Sequence, residues 1–495
     1  MKNYLFILTL LLSNIGIISV NAQFQIGSDL LGDENNILFG SSVNTSADGN
    51  RIAVGAQLFY NSSFELVGSV KVYEWTNGDW VQMGSNIVGT EDYDFLGNVV
   101  SLSSDGSIIA ISGDGNSNGP VPGKVKIYEW LGGNWLQKGS DILGEAIGDS
   151  FGYSMTLSSD GTHVVTGATR NNGNGANSGH VQIHTFTNGD WVQVGDDING
   201  ENADDYSGTS VDISSDGSRI AIGAYAGDGP AMDSGNVRIF EWMNNTWTQM
   251  GSNIDGEASG DLFGGDLSLS SDGTRIAIAA INNNGSGFFL GTVRVLEWIN
   301  GDWQQVGAEI EGATSGTYFG NSISLTADGN RLVVGAPLND VAFQDAGQVK
   351  IFDWVNSAWE QTGMSIKGEQ TMGWLGVETD VSADGERLIV AARNFIDVGN
   401  DEGMVRVYDL SDFTDVNTIG SAPSIAIYPN PCSNELFIEG DEIETIQIID
   451  MYGAVVTEVK PSLDSKMDVS KLFAGIYYLK IRIEGDLIMK KIIKI

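Results

Sequence analysis

Short acidic segments recur in this chain at nearly regular intervals. Carboxylates at such spacing could bind a divalent cation, a cationic group or a sugar, provided that the fold brings them together. The alternative interpretation is that they are solvated loop charges, because Asp and Glu side chains mostly face water. The residues concerned are Asp92, Asp94, Glu145, Asp149, Glu201, Asp204, Asp205, Glu257 and Asp261.

Signals of catalysis are weak in this sequence. His180 and His184 fall on one predicted strand and could form a zinc pair, but solvent-facing strand positions are the simpler interpretation for them and for His163. There is no HExxH, no nucleophile elbow and no phosphate-binding glycine loop. The single cysteine, Cys432, has no evident His or Asn partner. We therefore expect no enzymatic activity and no required cofactor, and the metal is left open, with Ca²⁺ as one candidate.

Two further groups of residues have alternative interpretations. Four loop aromatics could stack on sugar rings or pack against neighbouring loops: Phe59, Tyr60, Phe288 and Phe289. A glutamine recurs seven times, which is typical of a structural amide bond between strands or blades rather than a site. Its positions are Gln25, Gln82, Gln137, Gln193, Gln249, Gln305 and Gln361.

A turn motif repeats through most of the chain and indicates the type of fold. Its central aspartates stand 55 to 57 residues apart, and a fixed period of this size indicates a repeat architecture. They are Asp48, Asp105, Asp160, Asp216, Asp272, Asp328 and Asp384.

One repeat, residues 263–312, predicts four antiparallel strands, A to D. Apolar and small or polar residues alternate around 267–270, 275–278 and 292–296, as in half-buried strands. Asp-Gly at 272–273 and Asn-Gly at 300–301 suit hairpin turns with positive φ. With the second pair as the turn, Trp298 and Trp303 face each other across strands C and D, a pairing worth roughly 0.2–1 kcal/mol.

The seventh unit lacks a strand D, and the missing strand lies at the other end of the chain. Residues 24–32 match 81–89 position by position, so we expect the N-terminal segment to complete the last sheet. Closure of this kind removes exposed sheet edges. The sequence thus predicts an all-β fold, a seven-bladed β-propeller over 23–413 closed by an N-terminal strand.

The ends of the chain differ from the repeats. Residues 1–22 have the charge, apolar run and Val-Asn-Ala ending of a secretory signal, and the apolar run is too short to favour a transmembrane segment. Residues 414–426 form a predicted linker. Residues 427–495 are predicted to form a small separate β-sandwich domain.

The C-terminal region resembles the sorting domain of type IX secretion cargo. It opens with Tyr428, Pro429, Asn430 and Pro431, continues through a Tyr-Gly turn and an Ala-Gly-Ile-Tyr strand containing Gly475 and Tyr477, and ends in lysines. The resemblance implies a partnership with the type IX machinery and a secreted or outer-surface location. In that family the tail is usually removed, and the body is released or attached to surface polysaccharide. The alternative is an ordinary Ig-like terminal sandwich.

The charge of the chain excludes whole classes of partner. The formal net charge is −39 and the sequence pI is about 4.1. Such a field repels phosphate backbones and anionic membranes, so nucleic acid is not an expected partner. Extracellular solubility is the simplest reason for the charge.

The body of the chain resembles FG-GAP repeats, the propeller units of integrin α subunits and bacterial surface proteins. The resemblance lies in Phe-Gly at 39–40, 151–152, 263–264 and 319–320, and in Gly-Ala at the end of strand B. It implies an adhesive or ligand-binding role. Calcium-binding FG-GAP loops carry several Asp or Asn ligands, whereas the A–B turns here carry one carboxylate, so calcium is not expected at those turns.

The loops suggest where a ligand would bind. The B–C loops and D-to-A connections vary and open on one face of the disc, which singles out that face. We expect a binding or adhesion module for an extracellular polysaccharide or protein. The alternatives are a glycoside hydrolase or lyase, which a buried carboxylate pair at the channel mouth would favour, and a structural surface-layer protein.

Overall fold

The structure is a computed structural model that describes residues 24–32, 36–113, 122–283, 289–397, 400–401 and 403–411 of the body. In the C-terminal region it describes 426–428, 435–439, 443–449, 455–459, 466–473, 475–483 and 486–494. The predicted signal peptide, nearly all of the predicted linker, and Phe288, Pro429, Asn430, Pro431 and Cys432 lie outside these ranges. The predictions made for them therefore stay predictions.

Seven antiparallel sheets with the order A-B-C-D follow one another along the body, which confirms the propeller. Strand A spans Ser42–Thr45, Leu96–Leu102, Phe151–Leu157, Val211–Ile213, Phe263–Leu269, Ile323–Leu325 and Leu375–Val381. Strand B spans Arg51–Ala56, Ile108–Gly113, His163–Ala168, Arg219–Ala224, Arg275–Ala280, Arg331–Ala336 and Arg387–Ala392.

The outer half of each blade consists of a long strand C and a strand D in two pieces. Strand C spans Ser69–Thr76, Lys124–Leu131, His180–Thr187, Asn236–Met243, Thr292–Ile299, Gln348–Val355 and Met404–Asp409. The first piece of strand D spans Asp79–Gln82, Asn134–Gln137, Asp190–Gln193, Thr246–Gln249, Asp302–Gln305 and Ala358–Gln361. The second spans Ile87–Val88, Ile142–Leu143, Ile198–Asn199, Ile254–Asp255, Ile310–Glu311 and Ile366–Lys367. Two short hairpins accompany the blades, Asn36–Ile37 with Leu58–Phe59 and Ile396–Asp397 with Asn400–Asp401.

The N-terminal segment closes the ring, as the sequence predicts. Strands Phe24–Gln25 and Leu30–Leu31 both pair antiparallel with Met404–Asp409 and supply the two pieces of strand D for blade 7. An ion pair fixes the same junction, because the Arg406 guanidinium donates to both carboxylate oxygens of Asp29 at 2.9 Å. Residues from the two ends of the body thus share one sheet.

The two hairpin turns of a blade differ. In the C–D turn, Asn77 and Gly78 have φ values of 54° and 87°, as the two-residue turn requires, and the rings of Trp75 and Trp80 lie 5.0 Å apart. In the A–B turn only the glycine has a positive φ. Asp48 instead accepts hydrogen bonds from the Ser46 hydroxyl and the Asn50 amide. This turn is therefore longer than a two-residue hairpin turn, and the positive φ expected for both residues of the Asp-Gly pair is found only at the glycine.

The recurring glutamine is structural, but it does not join strands or blades. The Gln82 side chain donates to the Gly84 carbonyl at 3.2 Å and to Asn86 Oδ1 at 2.9 Å, within its own strand D. Gln249 makes the same two contacts with Gly251 and Asn253. The amide therefore bridges the break between the two pieces of strand D.

Consecutive blades meet at glycines. A Cβ on Gly223 of strand B would lie 2.2 Å from the carbonyl oxygen of Gly264, the Phe-Gly glycine of the next blade. Gly167 stands in the same relation to Gly208. The adjoining Phe263 is 1% exposed and fills the gap between the sheets. The Phe-Gly and Gly-Ala positions thus allow backbone contact between neighbouring blades.

A ring of backbone hydrogen bonds surrounds the axis at the A–B turns. The Ala47 amide donates to the Ser104 carbonyl of the next blade at 2.8 Å, and the Ser104 amide donates to Ser159 at 2.7 Å. At the far side, the Ala383 amide of blade 7 donates to the Ala47 carbonyl of blade 1 at 3.0 Å. The same bond joins Ser215 to Ser271, Ser271 to Ala327 and Ala327 to Ala383, so six of the seven junctions between blades carry it.

The C-terminal region forms two further sheets. One contains Ala426–Tyr428, Glu435–Glu439 and Lys466–Asp468; the other contains Val455–Val459, Ile443–Ile449, Gly475–Ile483 and Asp486–Lys494. Leu436 and Ile438 of the first sheet share a buried cluster with Ile448 and Leu479 of the second, which confirms a β-sandwich. The described part of the chain has no helix that is long and apolar enough to cross a membrane.

A glycine substitution tests the contact between blades. Gly223→Ala should lower the free energy of unfolding by about 1–3 kcal/mol, because its Cβ would meet the Gly264 backbone. Gly373→Ala is the matched control, since the nearest atom to its Cβ is 3.4 Å away, and it should change stability much less. Denaturant unfolding of the two variants measures the difference; equal stabilities would contradict the close approach.

Candidate functional site at the channel mouth

The first strands of the blades line a central channel, and one end of it lies where these strands begin. A cavity of about 250 Å³ opens there. Polar groups on its wall include Tyr153, Asp266, Asn321 and Glu378, contributed by four different blades. The cavity is thus on the face of the disc that carries the B–C loops and D-to-A connections.

Four acidic side chains lie on these strands: Asp212, Asp266, Glu378 and Asp380. They stand four or six residues before the turn aspartate, where the other blades carry Ser, Thr, Asn or Val. Sequence analysis missed them because each fits the polar half of an alternating strand. Comparing the same position across the seven repeats would have found them.

Three of the four carboxyls link neighbouring blades. Asp212 accepts a hydrogen bond from the Leu269 amide at 2.7 Å, and Asp266 accepts one from the Ile323 amide at 2.7 Å. Asp380 accepts from the Thr45 amide at 2.8 Å and so connects blade 7 to blade 1. In other blades a serine hydroxyl accepts the corresponding hydrogen bond from a backbone amide of the neighbouring blade.

The channel holds these carboxyls away from bulk water, which disfavours their charged forms. Desolvation raises the pKa of Asp212 to about 6, against the opposing effect of its hydrogen bond from Leu269. It likewise raises the pKa of Asp266 and the pKa of Asp380 to about 7. Near neutral pH this part of the channel therefore carries less negative charge than its composition indicates.

Glu378 differs from the other three. Desolvation, and secondly the nearby charge of Asp266, raise the pKa of Glu378 to about 8, although Arg393 opposes the shift. Glu378 has no hydrogen-bond partner among the described residues, and its side chain lines the cavity. At neutral pH it is a protonated carboxyl that can donate a hydrogen bond to a ligand.

Arg393 lies close enough to Glu378 for its positive charge to act on that carboxyl. Its guanidinium lies 5.2 Å from the centre of the Trp374 ring, and its buried Nε has no hydrogen-bond partner among the described residues. The contact keeps a positive charge beside Glu378 without forming an ion pair.

Aromatic side chains lie beside the cavity. Tyr153 lines it and is 45% exposed. The rings of Tyr206 and Tyr225 stack with their centres 5.5 Å apart. Desolvation, and secondly the nearby Tyr153, raise the pKa of Tyr225. An exposed ring next to polar groups is a common arrangement for binding sugars.

The buried aspartates predicted from sequence stabilise their own loops. Asp94 accepts hydrogen bonds from the Thr90 and Glu91 amides and an ion pair from Lys124. The other buried aspartates bond in similar ways: Asp149 accepts from Asn171, Asp205 from Asn202 and Asp261 from Ala258.

The remaining predicted carboxylates lie on the exposed surface of the loops. Asp92 accepts from the Leu66 amide, Asp204 from Asn177, Glu201 from Asn253, and Glu257 lies 3.6 Å from Arg294. None of the nine predicted residues lines the cavity at the channel mouth. The structure distributes them over four successive loops.

Glu145 belongs to the one group of three metal-capable side chains found among the described residues. Its carboxylate, the His180 imidazole and the Asp197 carboxylate have ligand atoms within 4.8 Å of one another. His180 and His184 are 1% and 8% exposed, so the prediction that they face solvent is wrong. Desolvation lowers the pKa of His180, and it lowers the pKa of His184 to about 4. Metal binding by these loops stays a prediction.

The predicted loop aromatics have different environments. Phe289 is 42% exposed, and its ring stacks on Tyr318 of the neighbouring loop with 5.8 Å between centres. Tyr60 is 37% exposed and forms a bridge with Leu66. Phe59 is half-buried in a short hairpin. Phe289 packs on a neighbouring loop while part of its ring stays open to solvent.

Comparison with known families identifies the end of the chain. Residues 426–495 match the family described as secretion system C-terminal sorting domain. The C-terminal region is a sorting domain. This supports export by the type IX system and a partnership with its machinery. Gly475 lies at the start of a strand of this domain, and the Tyr477 hydroxyl donates to the Phe473 carbonyl at 3.2 Å.

Solved structures similar to the body are distant. A putative 6-phosphogluconolactonase from Bacteroides uniformis has 13% identity and a TM-score of 0.47, covering 67% of this chain and 86% of its own. The periplasmic gluconolactonase PpgL of Pseudomonas aeruginosa has 14% identity and a TM-score of 0.45, covering 86% and 94%. U3-55K has 11% identity and a TM-score of 0.47, covering 78% and 100%. No curated protein matches the chain.

The raised pKa of Glu378 predicts how stability depends on pH. The folded state holds this proton up to about pH 8 and the unfolded state releases it near the ordinary value, so stability should fall as pH rises between the two. Between pH 5 and pH 9 the free energy of unfolding should fall less in Glu378→Gln than in the wild type, by about 1 kcal/mol or more. Chemical unfolding at several pH values measures this, with the exposed Glu311→Gln as control. Parallel profiles for both variants and the wild type would contradict the assignment.

Proposed function

We propose that the protein is an exported carbohydrate-binding module that takes a sugar residue at the channel mouth. The observation that carries the proposal is the position of Glu378, a carboxyl without a hydrogen-bond partner among the described residues, in a cavity of about 250 Å³ beside the exposed ring of Tyr153. Desolvation there raises the pKa of Glu378 to about 8, which favours the protonated form at neutral pH. A protonated carboxyl donates to a sugar hydroxyl, and an aromatic ring packs on the apolar face of the sugar.

Two further observations support this class of function. The sorting domain supports export, which is where polysaccharide ligands would be met. The resemblance of the repeats to FG-GAP units, which form adhesive propellers, favours binding over catalysis.

A glycoside hydrolase is the second candidate, and one observation favours it. Asp266 and Glu378 lie in the same cavity with pKa values of about 7 and 8, and paired carboxyls in different protonation states are the groups that such enzymes use. Against it, both oxygens of Asp266 already accept backbone hydrogen bonds, from Leu267 and Ile323. Asp266 is therefore held in position as a link between blades.

One assay distinguishes the two candidates. The chain from residue 23 is incubated with a panel of insoluble and soluble polysaccharides, with calcium or with chelator, and both retention and new reducing ends are measured. We expect retention without cleavage, and loss of at least tenfold in affinity for Glu378→Gln while Glu311→Gln binds as the wild type does. New reducing ends that disappear in Glu378→Gln would support the hydrolase, and no retention on any sugar would contradict both.

A further inference from the structure

Every blade carries a polar side chain at one inward position of strand C. Six of the seven are cations, namely Lys71, Lys126, Arg238, Arg294, Lys350 and Arg406, and the seventh is Gln182. The position lies between two places for a carboxylate. The first is in the D-to-A loop that precedes the blade, directly after a glycine, as Glu369 is before blade 7. The second is in strand D of the same blade, four residues after the recurring glutamine, as Asp29 is after Gln25.

In most blades a carboxylate of the chain occupies at least one of these two positions. Arg406 binds Asp29 at 2.9 Å and Glu369 at 3.1 Å, one carboxylate from each place. Lys126 binds Asp141 at 3.0 Å. In blade 3 the cation is replaced by Gln182, which still donates to Glu145 and Asp197 at 3.4 and 3.1 Å.

Blade 6 departs from this pattern at both places. Ala313 stands where Glu145, Glu201, Glu257 and Glu369 stand in other loops, and Ser365 stands where Asp29 and Asp141 stand. Loop residues 313–318 contain no carboxylate at all. In addition, Lys367 occupies a position that is apolar, amide or acidic in the other six blades.

The missing side chains leave space. A cavity of about 530 Å³ lies at this point, with Ala313, Ser365, Lys350, Lys367, Asn339 and Gln348 on its wall. This volume is within the range of small-molecule sites. Met364 and Val341 are more than half exposed at its edge, so the cavity opens to solvent.

The cavity is a positive site on a strongly negative protein. Lys350 forms no ion pair with the described residues, and its Nζ lies 5.9 Å from the centre of the Phe319 ring. Burial without a compensating carboxylate lowers the pKa of Lys350, whereas Lys124, which is bound to Asp94, has a raised pKa. An anion bound in the cavity would supply the compensating negative charge that carboxylates of the chain supply in other blades.

We propose that the blade 6 cavity binds the carboxylate of a small hydroxylated acid such as a uronic acid, either free or as part of a polysaccharide. Lys350 and Lys367 contact the carboxylate, which takes the place of the two carboxylates that the chain lacks here. The amides of Asn339 and Gln348 suit the hydroxyl groups of the ligand. This site is separate from the channel mouth and does not depend on the function proposed for it.

Titration calorimetry of the chain from residue 23 tests the proposal. Glucuronate should bind at least tenfold more tightly than glucose, and added salt should weaken its binding. Polygalacturonate beside monomeric galacturonate shows whether the acid is recognised free or within a polymer. Sulfate that binds as tightly as glucuronate would overturn the carboxylate assignment.

Two variants locate the binding. Ala313→Glu should weaken glucuronate binding more than tenfold, because the new carboxylate restores the ion pair with Lys350 that other blades have. Ser315→Glu adds the same charge to the same loop outside the cavity wall and should leave affinity within about threefold, the size of change that a screened surface charge produces. Equal affinities for the two variants, or loss of glucuronate binding in Glu378→Gln instead, would overturn the proposal.

Discussion

The fold depends on how closely consecutive blades approach one another. Strand B of one blade and strand A of the next are in backbone contact at Gly223 and Gly264, where a single added methyl group would meet a carbonyl oxygen at 2.2 Å. Aromatic packing at Phe263 and the amide-to-carbonyl ring around the axis follow from that approach. Because the described body has no disulfide and an N-terminal strand completes the last sheet, this geometry and the closure of the ring supply the rigidity that a crosslink would otherwise give.

Repetition separates structural residues from candidate functional ones. Groups that recur in most blades have structural partners: the turn aspartates bond within the turn, the strand D glutamines bridge a break, and the loop aspartates such as Asp94 stabilise their own loops. The two candidate sites are departures from the repeat. Glu378 stands where other blades have a hydroxyl, an aspartate or valine. Lys350 has a carboxylate at neither of the two positions, whereas every other blade keeps one at least at one of them.

The sequence was sufficient for the architecture because its signals are periodic. Turn residues, the Trp75 and Trp80 pair and the match of 24–32 to 81–89 predicted the strands and the closure. The site was predicted less well. The acidic loops are visible in the sequence, but the hydrogen-bond partners of their carboxylates are set by tertiary contacts that the sequence does not show. The burial of His180 and the environment of Glu378 follow from neighbouring strands that are distant in sequence.

Hydrogen exchange at the closing strand tests the account most directly. The Ile26 amide donates to Val407 at 2.8 Å, as the equivalent Met83 amide donates to Val72 in blade 1, so segment 24–31 should exchange as slowly as segment 81–88. Mass spectrometry of the chain from residue 23 would measure both segments in one experiment. Exchange of 24–31 within seconds while 81–88 stays protected would contradict the closed ring, and with it the rigid face on which both proposed sites depend.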